Sequence, residues 1–239
     1  MHTDKKRCDK RQMATFGLID DHINWHHDVG LHSEVLEPWQ QLVAEARKAG
    51  FDLALASGFR SFERQQHIWN AKMRGERPVL DDMGCALDIA ALSPLEKVKR
   101  VMRWSALPGT SRHHWGTDMD IYDRASVPEN YSLQLVDEEY TGNGPFAPMT
   151  QWLKDFLRKD ASPAFFFPYM EDNEGIMLEP WHLSYLPVAK QYQSTWSLEL
   201  LQNYLQESDV LEKATILSSI EALYEQFIKD SINPRAAVG

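Results

Sequence analysis

Apolar residues recur at helical spacing from Leu36 to Gly50, with Trp39, Leu42, Val43 and Ala46 on one face. Pro38 falls in the first turn and Gly50 supplies a stop, so the pattern predicts a helix. The period then drops to two. Phe51, Leu53 and Leu55 alternate with their neighbours and predict a strand running into Ser57-Gly58-Phe59-Arg60-Ser61. A second helix is predicted from Phe62 to Arg74, capped by Ser61 and followed by Gly75. Ser93, Pro94 and Glu96 stand at capping-box spacing and open a third.

Ser111 to Asp123 becomes strand-like in its second half, whereas Arg124 to Thr150 is rich in Pro, Gly, Asn and Ser and predicts a long surface excursion. A short helix is expected over Trp152 to Arg158, and extended segments over Phe165 to Tyr169 and Ile176 to Tyr185. Past Pro187 the pattern is helical. Val210, Ala214, Leu217, Ile220, Tyr224 and Phe227 share a face, and Asp209 with Glu212 can cap its start. Few strands mixed with helices favour an α+β fold over a wound parallel sheet.

The chain has 239 residues, enough for one good core. The expected organisation is an N-terminal extension (1–35), a central domain (36–190) and a C-terminal helical extension (191–239) packed on that domain. A formal net charge of -10 argues against nucleic acid, whose phosphates need a basic face. The same charge gives an anionic ligand no long-range attraction, so any such ligand must be held by local cations. Cys8 and Cys85 are too few for a disulfide framework or a cysteine zinc motif. The charged N-terminal stretch lacks the apolar run of a secretory leader, and no run is long enough to span a bilayer, so a cytoplasmic protein is the expectation.

Two clusters carry chemistry. One is Ser111-Arg112-His113-His114-Trp115-Gly116-Thr117-Asp118-Met119-Asp120; the other is Glu179-Pro180-Trp181-His182, followed by Tyr185. Catalytic zinc commonly takes three ligands from His and carboxylate, leaving a position open, while a nearby free carboxylate handles the proton. His113, Asp120 and His182 would supply the ligands and Glu179 the free carboxylate. Pro180 disfavours a helix interior, so this is not a zincin helix, and no HExxH occurs. His22, His26, His27 and His32 form a further cluster, with helical ligand spacing between His22 and His26, but nothing acidic or sulfur-bearing completes it. A solvated or locally packed face is its expected role, and His67 and His114 are expected to pack or to support the site residues from behind.

Three motifs, SGFRS at Ser57, SRHHWGTDMD at Ser111 and EPWHLSY at Glu179, closely resemble those of VanY-like D-Ala-D-Ala carboxypeptidases. These belong to the wider group of zinc peptidases with lysostaphin-type enzymes and the hedgehog signalling domain. The pattern SxHxxGxxxD matches at Ser111, His113, Gly116 and Asp120, and ExWH at Glu179, Trp181 and His182, in the family's order and spacing. The resemblance covers roughly 39–187 and implies a small antiparallel sheet carrying a zinc site flanked by helices. It implies Zn2+ held by His113, Asp120 and His182, Glu179 as general base and Arg60 as oxyanion stabiliser. Gln65 and Ser111 match positions that contact the substrate backbone or its terminal carboxylate, and Trp115 and Trp181 are candidate apolar walls.

The implied activity is zinc-dependent removal of the terminal D-Ala from peptidoglycan-type peptides, a precursor or muropeptide being the partner. A peptidoglycan endopeptidase of L-Ala-D-Glu type and a non-catalytic zinc-containing binding module are the alternatives. Asp118 departs from the family, which usually has a small residue there. On a regular strand it shares a face with Asp120 about 7 Å away, as a partner of the ligands, an outward salt bridge or a competing ligand.

Overall fold

The computed structural model describes residues 9–159, 164–170 and 174–234, so Cys8 lies outside the described residues. The first helix, α1 (Lys10–Thr15), is held at its start by the Asp9 carboxylate. The histidine cluster is not helical. His22 precedes a hairpin of β1 (Ile23–His26) and β2 (Val29–His32), in which Ile23 pairs with His32 and His26 with Val29. His26 and His27 are exposed, so the spacing of His22 and His26 brings no ligand set together.

The next helix, α2 (Leu36–Lys48), buries Trp39, Leu42 and Ala46, and Gly50 takes φ +94° just past it. β3 (Leu53–Ser57) then leads into α3 (Phe62–Met73), whose first turn is capped by Ser61. α4 (Pro94–Trp104) opens on the Ser93–Glu96 capping box. β4 (Asp118–Asp123) follows a short 3-10 turn, Arg112–Trp115.

The stretch after β4 is more structured than its composition predicts. It contains α5 (Asp137–Tyr140), and α6 (Ala147–Arg158) begins at Ala147 rather than Trp152, with Pro148 in its first turn. Tyr140, Phe146 and Met149 are buried, and the Tyr140 hydroxyl donates to Ile121 O at 2.8 Å. These apolar anchors, spaced among turn-forming residues, pull the excursion into the core.

β5 (Phe165–Phe166) and β6 (His182–Tyr185) complete the main sheet, antiparallel in the order β3-β4-β6-β5. The remaining helices are α7 (Leu186–Gln193), α8 (Leu198–Glu207), α9 (Lys213–Ser218), α10 (Ile220–Leu223) and α11 (Lys229–Ile232), with a π-helical turn at Tyr224–Ile228. The single amphipathic helix expected here is thus broken. Glu212 sits at φ 59° without capping the first turn, and the buried face runs through Ile216, Ile220, Leu223 and Phe227, with Ala214 exposed. The wider π turn rotates the side chains that follow it. Among the described residues no helix is long and apolar enough to cross a membrane.

The sheet divides two hydrophobic clusters. Met119, Ile121 and Leu183 project into one, with Trp39, Tyr140, Phe146 and Leu153. The other holds Trp69, Trp115, Leu201, Leu205 and the C-terminal helices. Strand alternation therefore puts Asp118, Asp120, His182 and Ser184 on the face opposite Met119 and Leu183. That polar face is buried too.

Candidate active site

Pairing register builds the centre. Asp120 lies directly opposite His182, and Asp118 opposite Ser184. On the other side of β4 the β3 ladder slips by one residue, so that Ser57 rather than Ala56 pairs with Asp120. A bulge of this kind re-aims a side chain. Here the Ser57 hydroxyl donates to Asp120 Oδ2.

His113 is presented by the 3-10 turn, which is tied to the loop after β3 by three contacts. Arg60 N donates to His113 O at 3.0 Å, His113 Nδ1 bonds Gly58 O at 2.8 Å, and His114 Nδ1 bonds Arg60 O at 2.6 Å. A carbonyl only accepts, so His113 carries its proton on Nδ1 and turns the Nε2 lone pair inward. Gly116, at φ 68°, ends the turn and lets the chain enter β4. His182 arrives from a tight turn closed by its own N–H on Glu179 O at 3.0 Å. Its Nε2 bonds Asp118 Oδ1 at 3.0 Å, leaving Nδ1 toward Asp120.

His113, Asp120 and His182 consequently offer one donor atom each within 4.8 Å of one another, all buried. Asp120 Oδ1 is 3.5 Å from His113 Nε2 and 3.5 Å from His182 Nδ1. Among the described residues neither Asp120 Oδ1 nor His182 Nδ1, both buried, has a well-aligned hydrogen bond, although Glu179 Oε2 stands near His182 Nδ1. Unpaired buried polar atoms are rare, because each forfeits its hydration. A cation between them would satisfy both, while Gly58 O, Ser57 and Asp118 already hold the far sides of the three side chains. Such outer bonds fix the orientation and tautomer of metal ligands. The donor set therefore fits a zinc-type ion.

Asp118 lies outside the three-donor group, and both of its oxygens are already taken. Arg112 Nε donates to its Oδ1 at 2.7 Å and Thr117 Oγ1 to its Oδ2 at 2.6 Å. Burial would raise its pKa, but the Arg112 charge and the bonds from His182 and Thr117 outweigh it and hold the carboxyl well below the usual range. Burial likewise opposes charge on Asp120, where His113, His182 and Arg60 prevail and lower its pKa. His182 is disfavoured as a cation by burial, yet Asp118 and Glu179 raise its pKa to about 10.

A cavity of about 280 Å³ opens over the centre. His113, Asp120 and His182 line it, as do Arg60, Ser111 and Glu179. Glu179 Oε2 stands 3.0 Å from His182 Nδ1. Burial lowers the Arg60 pKa, against the pull of Asp120 and Glu179. Gln65 is not on the wall: its Oε1 accepts from Arg60 Nη1 at 2.9 Å and its Nε2 donates to Ala106 O at 2.6 Å. Trp181 borders the cavity, but Trp115 does not, lying fully buried under the Arg112 guanidinium at 4.7 Å. His114 is packed as expected, whereas His67 is exposed.

Two wall residues carry no sequence signal. Lys72 is a half-buried cation whose pKa falls to about 8 through desolvation, despite the nearby Glu179. Trp104 Nε1 is buried with no hydrogen-bond partner among the described residues. Neither belongs to a recognisable motif, since each reaches the cavity only through the packing of α3 and α4.

A family model described as VanY, D-alanyl-D-alanine carboxypeptidase, matches residues 28–188. An uncharacterized protein of Haemophilus influenzae is 34% identical over 126 residues, 51% of this chain and 92% of that protein. The putative carboxypeptidase YodJ of Bacillus subtilis is 28% identical over 163 residues, 65% of this chain and 46% of its own length. A crystal structure of the vancomycin resistance D,D-pentapeptidase VanY in complex with Zn(II) superposes with a TM-score of 0.48 at 24% identity, covering 75% of this chain and 88% of that one.

Proposed function

We propose, from the premise that this chain belongs to the VanY family of D-alanyl-D-alanine carboxypeptidases, that it is a zinc-dependent carboxypeptidase releasing the terminal D-Ala of peptidoglycan-type peptides. The observation that carries the proposal is the convergence of His113 Nε2, Asp120 Oδ1 and His182 Nδ1 in a cavity shared with Glu179 and Arg60. His113, Asp120 and His182 are the ligands in this reading. A bound zinc ion supplies Lewis acidity at the scissile carbonyl and lowers the pKa of water.

The chain's own groups supply the rest. Glu179 takes a proton from the attacking water and returns it to the departing amine of D-Ala. Arg60, braced by Gln65, faces the oxygen on which negative charge develops. Gln65 thereby acts on the substrate through Arg60, while Ser111 lies on the wall and can bond the peptide directly. The Trp104 N–H and the Lys72 ammonium are further donors for an anionic, carbonyl-rich peptide. They provide the local attraction that a chain of net charge -10 lacks at long range.

The test compares a peptide ending in D-Ala-D-Ala with the same peptide amidated at its end. Release of free D-Ala from the first and a rate roughly 10² lower on the second are expected, because the amide leaves buried donors unmet. Equal rates would favour an endopeptidase. Zinc uptake with no cleavage of any wall peptide would favour a binding module.

A further inference from the structure

The helices that follow the family match return to the active centre at their last turn. Arg112 is buried, and besides Asp118 it reaches Ser184 Oγ through Nη2 at 2.7 Å. Its Nη1 donates to Ile232 O at 3.2 Å and Ser231 O at 3.5 Å, the final carbonyls of α11. Helix-end carbonyls have no partner within their own helix, and the guanidinium provides one. A second route runs beside the first. Ser231 Oγ and Tyr169 OH are hydrogen-bonded at 3.0 Å, and the Tyr169 ring meets that of His182 edge-on at 4.8 Å. Ser231 and Ile232 are 3% and 1% exposed, so both routes run through dry interior.

We infer that Ser231 and Ile232 are positioning residues for His182, making the C-terminal extension part of the metal centre's frame. Arg112 has five N–H donors in a fixed fork, and Asp118 occupies only one side of it. The α11 carbonyls hold the remaining edge, which stops the fork from turning toward other acceptors. With Arg112 fixed, Asp118 is fixed, and with it the tautomer and tilt of the His182 imidazole. Tyr169, tethered by Ser231, limits the same ring from its side. This inference rests on His182 being a zinc ligand, as proposed above.

The test uses full-length chain and reads zinc affinity by competition with a chromophoric chelator, together with the visible spectrum of the cobalt-substituted protein. Ile232→Ala, which loosens the seat of the last turn, is expected to weaken zinc about tenfold and to alter the cobalt bands, the usual scale for an outer partner of a ligand. In an Arg112→Lys background the same change should have under about a twofold effect, because lysine lacks the fork that joins Asp118 to the carbonyls. Leu205→Ala, a truncation in the same hydrophobic cluster, should leave affinity unchanged. Equal losses in Ile232→Ala and Leu205→Ala, or no loss in either, would overturn the inference. Should Ile232→Ala not fold, Ser231→Ala is expected to show a severalfold loss and altered cobalt bands through Tyr169, and wild-type values would overturn it. Wild-type protein that takes up no zinc would instead defeat the proposed function.

Discussion

Asp118 and His182 meet at 3.0 Å across neighbouring strands, on the imidazole nitrogen that faces away from Asp120. Two aspartates, two residues apart on β4, thus approach one ring from opposite sides. Their unlike roles come from what else each touches. Asp118 is neutralised by Arg112, so its oxygens are committed, whereas Asp120 keeps Oδ1 unbonded beside both histidines.

That division predicts metal content. Purified protein should hold about one zinc per chain and lose it to a chelator. His113→Ala and His182→Ala should each abolish stoichiometric zinc by elemental analysis, and Asp118→Asn should retain it with roughly 10- to 100-fold weaker affinity. Full zinc in both histidine variants would remove the site.

In the proposed mechanism Glu179 differs from His113, Asp120 and His182 by role rather than by distance. Glu179→Gln should bind zinc as the wild type does while kcat falls by about 10² to 10⁴, the usual worth of a general base. Near wild-type turnover would end the assignment, and loss of zinc would make Glu179 a ligand.

The Arg112–Asp118 pair has both side chains fully buried. Removing one member strands the other charge in a dry interior, so Asp118→Ala should destabilise the chelator-treated protein by about 3–5 kcal/mol in urea denaturation. Asp118→Asn keeps one acceptor oxygen, at the position where Oδ1 meets both Arg112 and His182, and should lose less. A loss below about 1 kcal/mol for the alanine variant would contradict the pairing.

His22 gives a pH dependence away from the centre. Its ring packs against His32, Phe59 and Tyr192, and its Nε2 is buried without a partner among the described residues. Burial, then the charge of His32, lowers its pKa to about 4 despite Asp20 and Asp21. The unfolded chain, with a histidine pKa near 6.5, therefore binds more protons between pH 6.5 and 4. The resulting stability is present above about pH 6.5 and is lost as pH falls toward 4. His22→Phe should show a shallower decline over that window in thermal unfolding. Parallel curves would exclude His22 as the source.

Much of this site was legible in the chain because its parts are local. SGFRS, SRHHWGTDMD and EPWH are each a short local stretch, α3 and α4 carry their own serine caps, and α2 stops before Gly50. What could not be read depends on contacts between distant segments. The Ser57–Asp120 bond needs a bulge that no residue pattern announces. Gln65 resembles a substrate contact until packing commits both ends of its amide to Arg60 and Ala106. The alternation in Asp118 to Asp123 predicts a strand but not that its Asp118 face is closed by Arg112, whose far edge reaches α11, and the helix breaks at Glu212 and Ser219 leave no clear composition signal.

The segments that present His113 and Asp120 are also threaded through places with no room for a side chain. A Cβ on Gly58 would lie 2.3 Å from Gly30 O, and one on Gly116 2.4 Å from Ile23 Cδ1 and 2.9 Å from His32 N. Both glycines press on the β1–β2 hairpin, which answers with Gly30 O accepting from Phe59 N and His32 N donating to Gly116 O. The spacing between His113 and Asp120 is therefore gauged against a third segment that contributes no ligand. Moved into another scaffold, the His113-to-Asp120 stretch would not be a portable cassette: the hairpin would have to travel with it.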